Sequence, residues 1–209
     1  MHGTNPYAQA GWYNPQNPHT INNHPWGSSG NGNPGPSIFG ALPYANQGQV
    51  PTVLTFHYVC LNPDVLNCTI TGPTSIPYLE VATVMRNNIS TTVFRKSDGR
   101  VLASIEWTRA PTVEIAGQTL SKRLVSQWMR SSPDRSQRGM NVNGRDFIWV
   151  SMPTGTCVFA HGDTKNALVK LHRGPQVITL ELTTEAFNAG LLEASIVATV
   201  LIHSGRNFD

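Results

Sequence analysis

The chain has 209 residues with 15 Lys or Arg, 12 Asp or Glu and a net charge of +3, so that only 13% of its residues are charged. Ordinary soluble domains carry about 25% charged residues. The composition excludes a strongly basic nucleic-acid-binding protein and an acidic disordered one, and the length excludes two large domains.

The first segment of the chain differs in composition from the rest. No Asp, Glu, Lys or Arg occurs before Asp64, and residues 1–51 are rich in Asn, Gly and Pro with scattered aromatic residues. Such a segment buries too little apolar area to offset the entropy cost of folding. We predict a disordered tail over residues 1–51, acting in weak self-association or as a spacer, followed by a folded domain over residues 52–209.

The start of the chain and its cysteines indicate in which cellular compartment we expect the protein. The N-terminus has neither the basic nor the apolar region of a signal peptide, and Cys60, Cys68 and Cys157 are an odd number. An odd, sparse set fits poorly with a disulfide framework. We therefore expect an intracellular protein, cytoplasmic or peripheral to a membrane, that is not secreted.

Short β-branched and aromatic runs separated by turns begin at Val53. Asp98-Gly99 and Asn143-Gly144 are dipeptides that tolerate positive φ, so each predicts a tight hairpin, and Arg173-Gly174-Pro175 predicts a third turn. This pattern of short apolar runs and turns indicates a mainly β fold, an antiparallel sandwich or barrel. The predicted strands are 53–59, 77–85, 89–95, 100–107, 112–116, 139–143, 146–150, 156–160, 167–172 and 176–183.

Two helices are predicted among the strands. Residues 121–130 place Leu124, Val125, Trp128 and Met129 on one face. Residues 185–203, with Thr184 as cap, are apolar nearly all round, but their uninterrupted apolar run is shorter than the roughly 20 residues of a membrane span. We predict no transmembrane segment, and a C-terminal helix enclosed by an antiparallel barrel of about 10–12 strands.

Several motifs follow one another along the domain: Leu54-Thr55-Phe56, residues 61–70 with Gly72-Pro73, Ile105-Glu106-Trp107, Gln127-Trp128-Met129, residues 132–136, Phe147-Ile148-Trp149, and residues 180–183 through Gly190-Leu191-Leu192 to 204–207. In this order they resemble a fungal family of unknown function numbered 6593 over about residues 52–209. The resemblance implies a relative of the tubby and LURP-one barrels, in which an antiparallel barrel encloses a hydrophobic C-terminal helix. Tubby domains bind phosphoinositides and scramblases of that superfamily act on membranes, but none of their ligand residues can be matched to a position here.

The middle of the domain is basic. Residues 86–145 hold eleven basic side chains against four acidic ones, and Arg130, Arg135, Arg138 and Arg145 lie close together in the sequence. One guanidinium group can donate two parallel hydrogen bonds to the oxygens of a phosphate. These four arginines are therefore the candidate site for an anion or a lipid headgroup. The alternatives are a solvated face and Arg–Asp pairs that hold a long loop. Ser132-Pro133 also resembles a phosphoacceptor.

No catalytic or metal-binding pattern stands out. His57, Cys60 and Cys68 do not converge on a regular strand, and no nucleophile has a recognisable base, so we predict no catalytic residue, metal site or cofactor. Trp107, Trp128 and Trp149 lie in apolar alternation typical of a core.

We expect a non-enzymatic barrel that binds an anionic phospholipid, a membrane surface or a protein partner, and no nucleic acid. One alternative is a scaffold that associates through its tail, and a remote one is a hydrolase or metal enzyme. The sequence does not indicate an oligomeric state.

Overall fold

The computed structural model describes residues 53–117 and 120–209, and within these ranges thirteen strands form one antiparallel sheet. The predicted tail over residues 1–51 lies outside the described residues. The mainly β prediction is confirmed, and each of the ten predicted strands corresponds to an observed one. The strands are β1 Val53–Val59, β2 Cys68–Thr71, β3 Pro77–Arg86, β4 Ile89–Lys96, β5 Val101–Trp107, β6 Thr112–Ile115, β7 Leu120–Leu124, β8 Met129–Ser131, β9 Gln137–Val142, β10 Arg145–Met152, β11 Gly155–Ala160, β12 Val169–Arg173 and β13 Ile178–Thr183.

The order of the strands explains why the sheet does not close into a barrel. It runs β7-β6-β5-β4-β3-β2-β1-β13-β12-β11-β10-β9-β8, with β1 pairing β13 from Val53↔Thr183 to Tyr58↔Ile178. Because direction alternates along an odd number of strands, the edge strands β7 and β8 point the same way and cannot complete an antiparallel ladder. The expected closed barrel of about 10–12 strands is therefore an open, curved sheet of thirteen. We call its two edges, with the helical turn α1 (Val125–Trp128) that joins them, the seam.

The predicted turns are confirmed. Gly99 has a φ of +81° between β4 and β5, and Asn143 and Gly144 have φ values of +51° and +77° between β9 and β10. The Asp98 Oδ1 atom accepts a hydrogen bond of 2.9 Å from the Arg100 backbone N–H, which fixes the first turn. The backbone N–H of Gly174 donates to the carbonyl of Val177 at 2.8 Å in the third turn.

The prediction of a helix over residues 121–130 is wrong. The segment divides into β7, the single turn α1 and β8, and Leu124 pairs with Thr112 of β6. Val125 and Trp128 are buried, so the apolar residues of the pattern do face the core. A short apolar pattern fits either type of element, and here pairing with neighbouring strands decides.

The predicted C-terminal helix is present but interrupted. It consists of α2 (Thr184–Asn188) and α3 (Leu191–His203), and Gly190 with a φ of +75° separates them. A Cβ at Gly190 would lie 2.7 Å from Asn143 Nδ2, so a larger residue would have to displace that amide as well as adopt a positive φ. The hydroxyl of Thr183, one residue before the expected cap, accepts a hydrogen bond of 3.1 Å from the Ala186 backbone N–H.

Helix α3 fills the interior of the sheet, as predicted. Its residues from Ala194 to Leu201 are all buried, although they point in every direction around the helix axis. Tyr58 of β1 donates a hydrogen bond of 3.2 Å to the Ile196 carbonyl, and the Thr199 hydroxyl donates one of 2.7 Å to the Ser195 carbonyl. Trp128 and Trp149 are core residues as predicted, and the half-buried Trp107 packs against the core. No helix among the described residues is long and apolar enough to cross a membrane.

Candidate functional site

Strand direction collects arginines at one end of the sheet. Strands β3, β5, β8 and β12 run in the same direction, because each is separated from the next by an odd number of strands in an antiparallel order. Arg86 and Arg173 are the last residues of β3 and β12, while Arg109 and Arg135 lie in the loops after β5 and β8. All four therefore lie at the same end of the domain. Strands β3 and β5 are two positions apart, which places Arg86 and Arg109 about 10 Å from each other along the sheet.

Arg206, after the end of α3, joins this group. Its guanidinium lies 4.7 Å from the ring centroid of Trp107, the last residue of β5, and donates a hydrogen bond of 3.2 Å to Ser90 Oγ at the start of β4. A cation over an indole face is attracted by the ring electrons and is held in place. We call Arg86, Arg109, Arg135, Arg173 and Arg206 the basic end.

Four of the five guanidinium groups of the basic end are available for a ligand. Arg86, Arg109, Arg135 and Arg173 are exposed, and none of them forms an ion pair with a residue in the described ranges. Arginines without a carboxylate partner keep their full charge and hydrogen-bonding capacity for an anion.

The aspartates near the basic end are already engaged. Asp134 accepts hydrogen bonds from Ser132 Oγ at 2.5 Å and from Ser136 Oγ at 2.7 Å, and these bonds lower the pKa of its carboxyl to about 2. Asp64 accepts from the Leu66 backbone N–H at 2.9 Å. These carboxylates hold loops in place, and neither forms an ion pair with an arginine of the described residues.

Two methionines are exposed at the same end. Met85, next to the end of β3, is 70% exposed, and Met152, the last residue of β10, is 45% exposed. A flexible apolar side chain beside cationic groups suits a surface that is both apolar and anionic.

The four arginines predicted as a site do not come together. Arg138 forms a bidentate ion pair with Asp209 (2.6 and 2.9 Å) and lies 4.5 Å from the Phe208 ring centroid, so it anchors the segment after α3. Arg138 pairs across the ladder with Trp149, whereas Arg145 lies four residues earlier on β10, which is about 13 Å along the strand. Arg145 is thus at the opposite end of the domain.

The remaining two predicted arginines occupy different places. Arg135 belongs to the basic end, while Arg130 lies at the seam and donates from Nε to the Gln127 carbonyl at 3.2 Å. Arg86, Arg109, Arg173 and Arg206 were not predicted as site residues, because strand order brings the first three to one end and contacts with Trp107 and Ser90 hold Arg206 there.

The match to known proteins covers most of the described domain. The sequence profile of a family of unknown function, DUF6593, matches residues 63–206. The chain belongs to this family. An X-ray structure of a protein from Arabidopsis thaliana is similar to the chain with a TM-score of 0.39 and 15% identity, covering 69% of this chain and 90% of that one. None of the curated proteins matches the chain.

The thiols of the DUF6593 domain do not form a reactive cluster. Cys68 is buried and its thiol donates to the Val65 carbonyl at 3.3 Å, and burial raises the pKa of Cys68 to about 12, so that the thiol stays protonated. Cys60 is exposed. Within residues 53–117 and 120–209, no group of three or more His, Cys, Asp or Glu side chains has the arrangement of a metal site.

Proposed function

We propose that the DUF6593 domain is a non-enzymatic module that binds anionic membrane lipid through the basic end. The observation that carries the proposal is a set of exposed arginines at one end of the sheet that form no ion pair with a described residue: Arg86, Arg109, Arg135 and Arg173. A basic side chain close to an anionic leaflet contributes about 1 kcal/mol of binding free energy.

The exposed methionines give the same end an apolar component. Met85 and Met152 lie at the same end as the arginines, and their side chains can enter the boundary between headgroups and acyl chains while the guanidinium groups bind phosphate oxygens. Such a weak, two-part contact is typical of reversible attachment to a membrane. The proposal therefore places the protein inside the cell, peripheral to a membrane.

The proposal includes the finer kinship implied by the sequence motifs. A fungal, tubby-like barrel built around a hydrophobic helix agrees with the enclosed α3, and a phosphoinositide is the first lipid to try, because its headgroup carries several phosphates within reach of neighbouring arginines.

Vesicle sedimentation tests the proposal. We expect the full chain to sediment with vesicles containing phosphatidylserine or a phosphoinositide, to remain in solution with neutral phosphatidylcholine vesicles, and to be released by salt. A phosphoinositide preference would appear at matched total vesicle charge. Equal binding to neutral and anionic vesicles, or no binding to either, would refute the proposal.

A further inference from the structure

A cavity at the seam lies apart from the basic end. It has a volume of about 350 Å³ and is bounded by β7, α1, β8, β9 and β10. This volume suits a small organic ligand. Its charged and polar lining includes Arg123, Arg130, Asn141 and Asp146, and its apolar lining includes Trp128 and Phe147.

Arg123 is the first unusual feature of this cavity. Its side chain is half-buried, and its guanidinium forms no hydrogen bond or ion pair with any residue in the described part of the chain. Arg130, across the cavity lining, uses Nε on the Gln127 carbonyl and has no carboxylate partner there. Two guanidinium groups thus line one small cavity, and neither forms an ion pair with a described residue.

Trp128 is the second feature. Its side chain is 2% exposed, it lines the cavity, and its indole Nε1 is a buried donor without an acceptor among the described residues. Buried polar groups nearly always have a partner, and an indole N–H can only donate. A ligand that brings an acceptor atom to the Trp128 side of the cavity would satisfy this donor.

The lining has one carboxylate, and one of its oxygens is engaged. Asp146 accepts a hydrogen bond of 2.7 Å from Asn141 Nδ2, and the polar side chains of Gln127 and His161 also line the cavity. Two guanidinium groups against one carboxylate leave the lining with an excess of positive charge, which favours a ligand rich in anionic oxygens.

We propose that the seam cavity binds a small organic phosphate monoester, with the phosphate between Arg123 and Arg130 and the organic part against Phe147 and Trp128. A phosphate monoester brings three acceptor oxygens and up to two negative charges, which matches two guanidinium groups and an indole N–H. This site is independent of membrane binding at the basic end.

Nuclear magnetic resonance of the ¹⁵N-labelled full chain tests the site with phenyl phosphate as the probe. We expect a saturable shift of the Trp128 indole N–H resonance, assigned from the spectrum of Trp128→Phe. Phenol, the neutral counterpart, should give no saturable shift, and inorganic phosphate should bind more weakly. No shift with phenyl phosphate, an equal shift with phenol, or equal affinity for benzoate would overturn the proposal.

Variants locate the probe. Arg123→Gln should weaken phenyl phosphate binding about tenfold or more, because it removes a charge-assisted contact. Arg123→Lys keeps the charge but loses the fork and should give an intermediate loss. The matched control is Arg100→Gln. Arg100 is exposed, lies away from the cavity and forms an ion pair of 2.6 Å with Asp98. Unchanged affinity in a folded Arg123→Gln would overturn the assignment, whatever the vesicle experiment shows.

Discussion

Neutralising the basic end gives the sharpest test of the proposed membrane contact. The variant combines Arg86→Gln, Arg109→Gln and Arg135→Gln, three exposed positions without an ion pair among the described residues. Each basic side chain near an anionic surface contributes about 1 kcal/mol, so the loss is about 3 kcal/mol and vesicle affinity should fall about a hundredfold. The fold should persist, because substitutions at exposed sites without partners have little effect on stability.

The assay is a titration of the full chain with phosphatidylserine-containing vesicles at fixed ionic strength. A matched variant combines Arg100→Gln, Arg145→Gln and Lys165→Gln, which removes the same charge from the opposite end of the sheet. We expect this variant to bind almost as well as the unmodified chain, because its changed positions face away from the membrane and lie beyond the roughly 10 Å screening length of 0.1 M salt.

Equal losses in the two variants would refute the reasoning. Binding would then depend on net charge alone, and the placement of the arginines by strand direction would have no functional meaning. An unchanged affinity of the first variant would refute it as well, since the proposed contact depends on these exposed arginines.

Three further predictions concern stability and titration. Leu201→Ala should lower the free energy of unfolding in urea by about 2–5 kcal/mol, because Leu201 is fully buried in α3, and a loss well below this range would contradict the enclosed helix. Gly155→Ala should be more destabilising in the same assay than Gly99→Ala. Both positions have a positive φ, which alone costs about 1–2 kcal/mol, but only at Gly155 would the new Cβ contact the β12 backbone. Ser132→Ala should raise the pKa of Asp134 in a carboxyl-detected titration, since the Ser132 hydroxyl is the largest cause of its depression. Because that pKa is depressed, the loop contacts are complete above about pH 4 and are lost as the pH falls towards 2.

Local signals made part of the fold predictable. The Asp98-Gly99 and Asn143-Gly144 turns depend on positive φ at neighbouring residues, which the dipeptides themselves favour. The burial of α3 follows from its composition, because a helix that is apolar all round needs apolar neighbours on every side.

Non-local pairing accounts for what the sequence did not predict. Strand β7 forms through pairs such as Thr112↔Leu124 with β6, and its own residues fit a helix equally well. Strand β2 has only four residues and depends on β1 and β3 for its hydrogen bonds.

The candidate site was hard to predict for a related reason. Arg138 and Arg145 are near neighbours in sequence, but the β9–β10 hairpin directs them to opposite ends of the sheet. Arg86 and Arg173 are far apart in sequence and share an end because β3 and β12 run in the same direction. Proximity along the chain is thus a poor guide to clusters on an antiparallel sheet.

The pairing of β1 with β13 determines when the domain can fold during synthesis. The first strand lacks its partner on that side until β13 has left the ribosome, and α3, which fills the interior, follows β13. Contacts of such long sequence separation form slowly and leave apolar strands uncovered meanwhile. The nascent domain therefore depends on its last helix to complete the core, and a chain that stops before Leu191 would leave the apolar inner face of the sheet exposed to solvent.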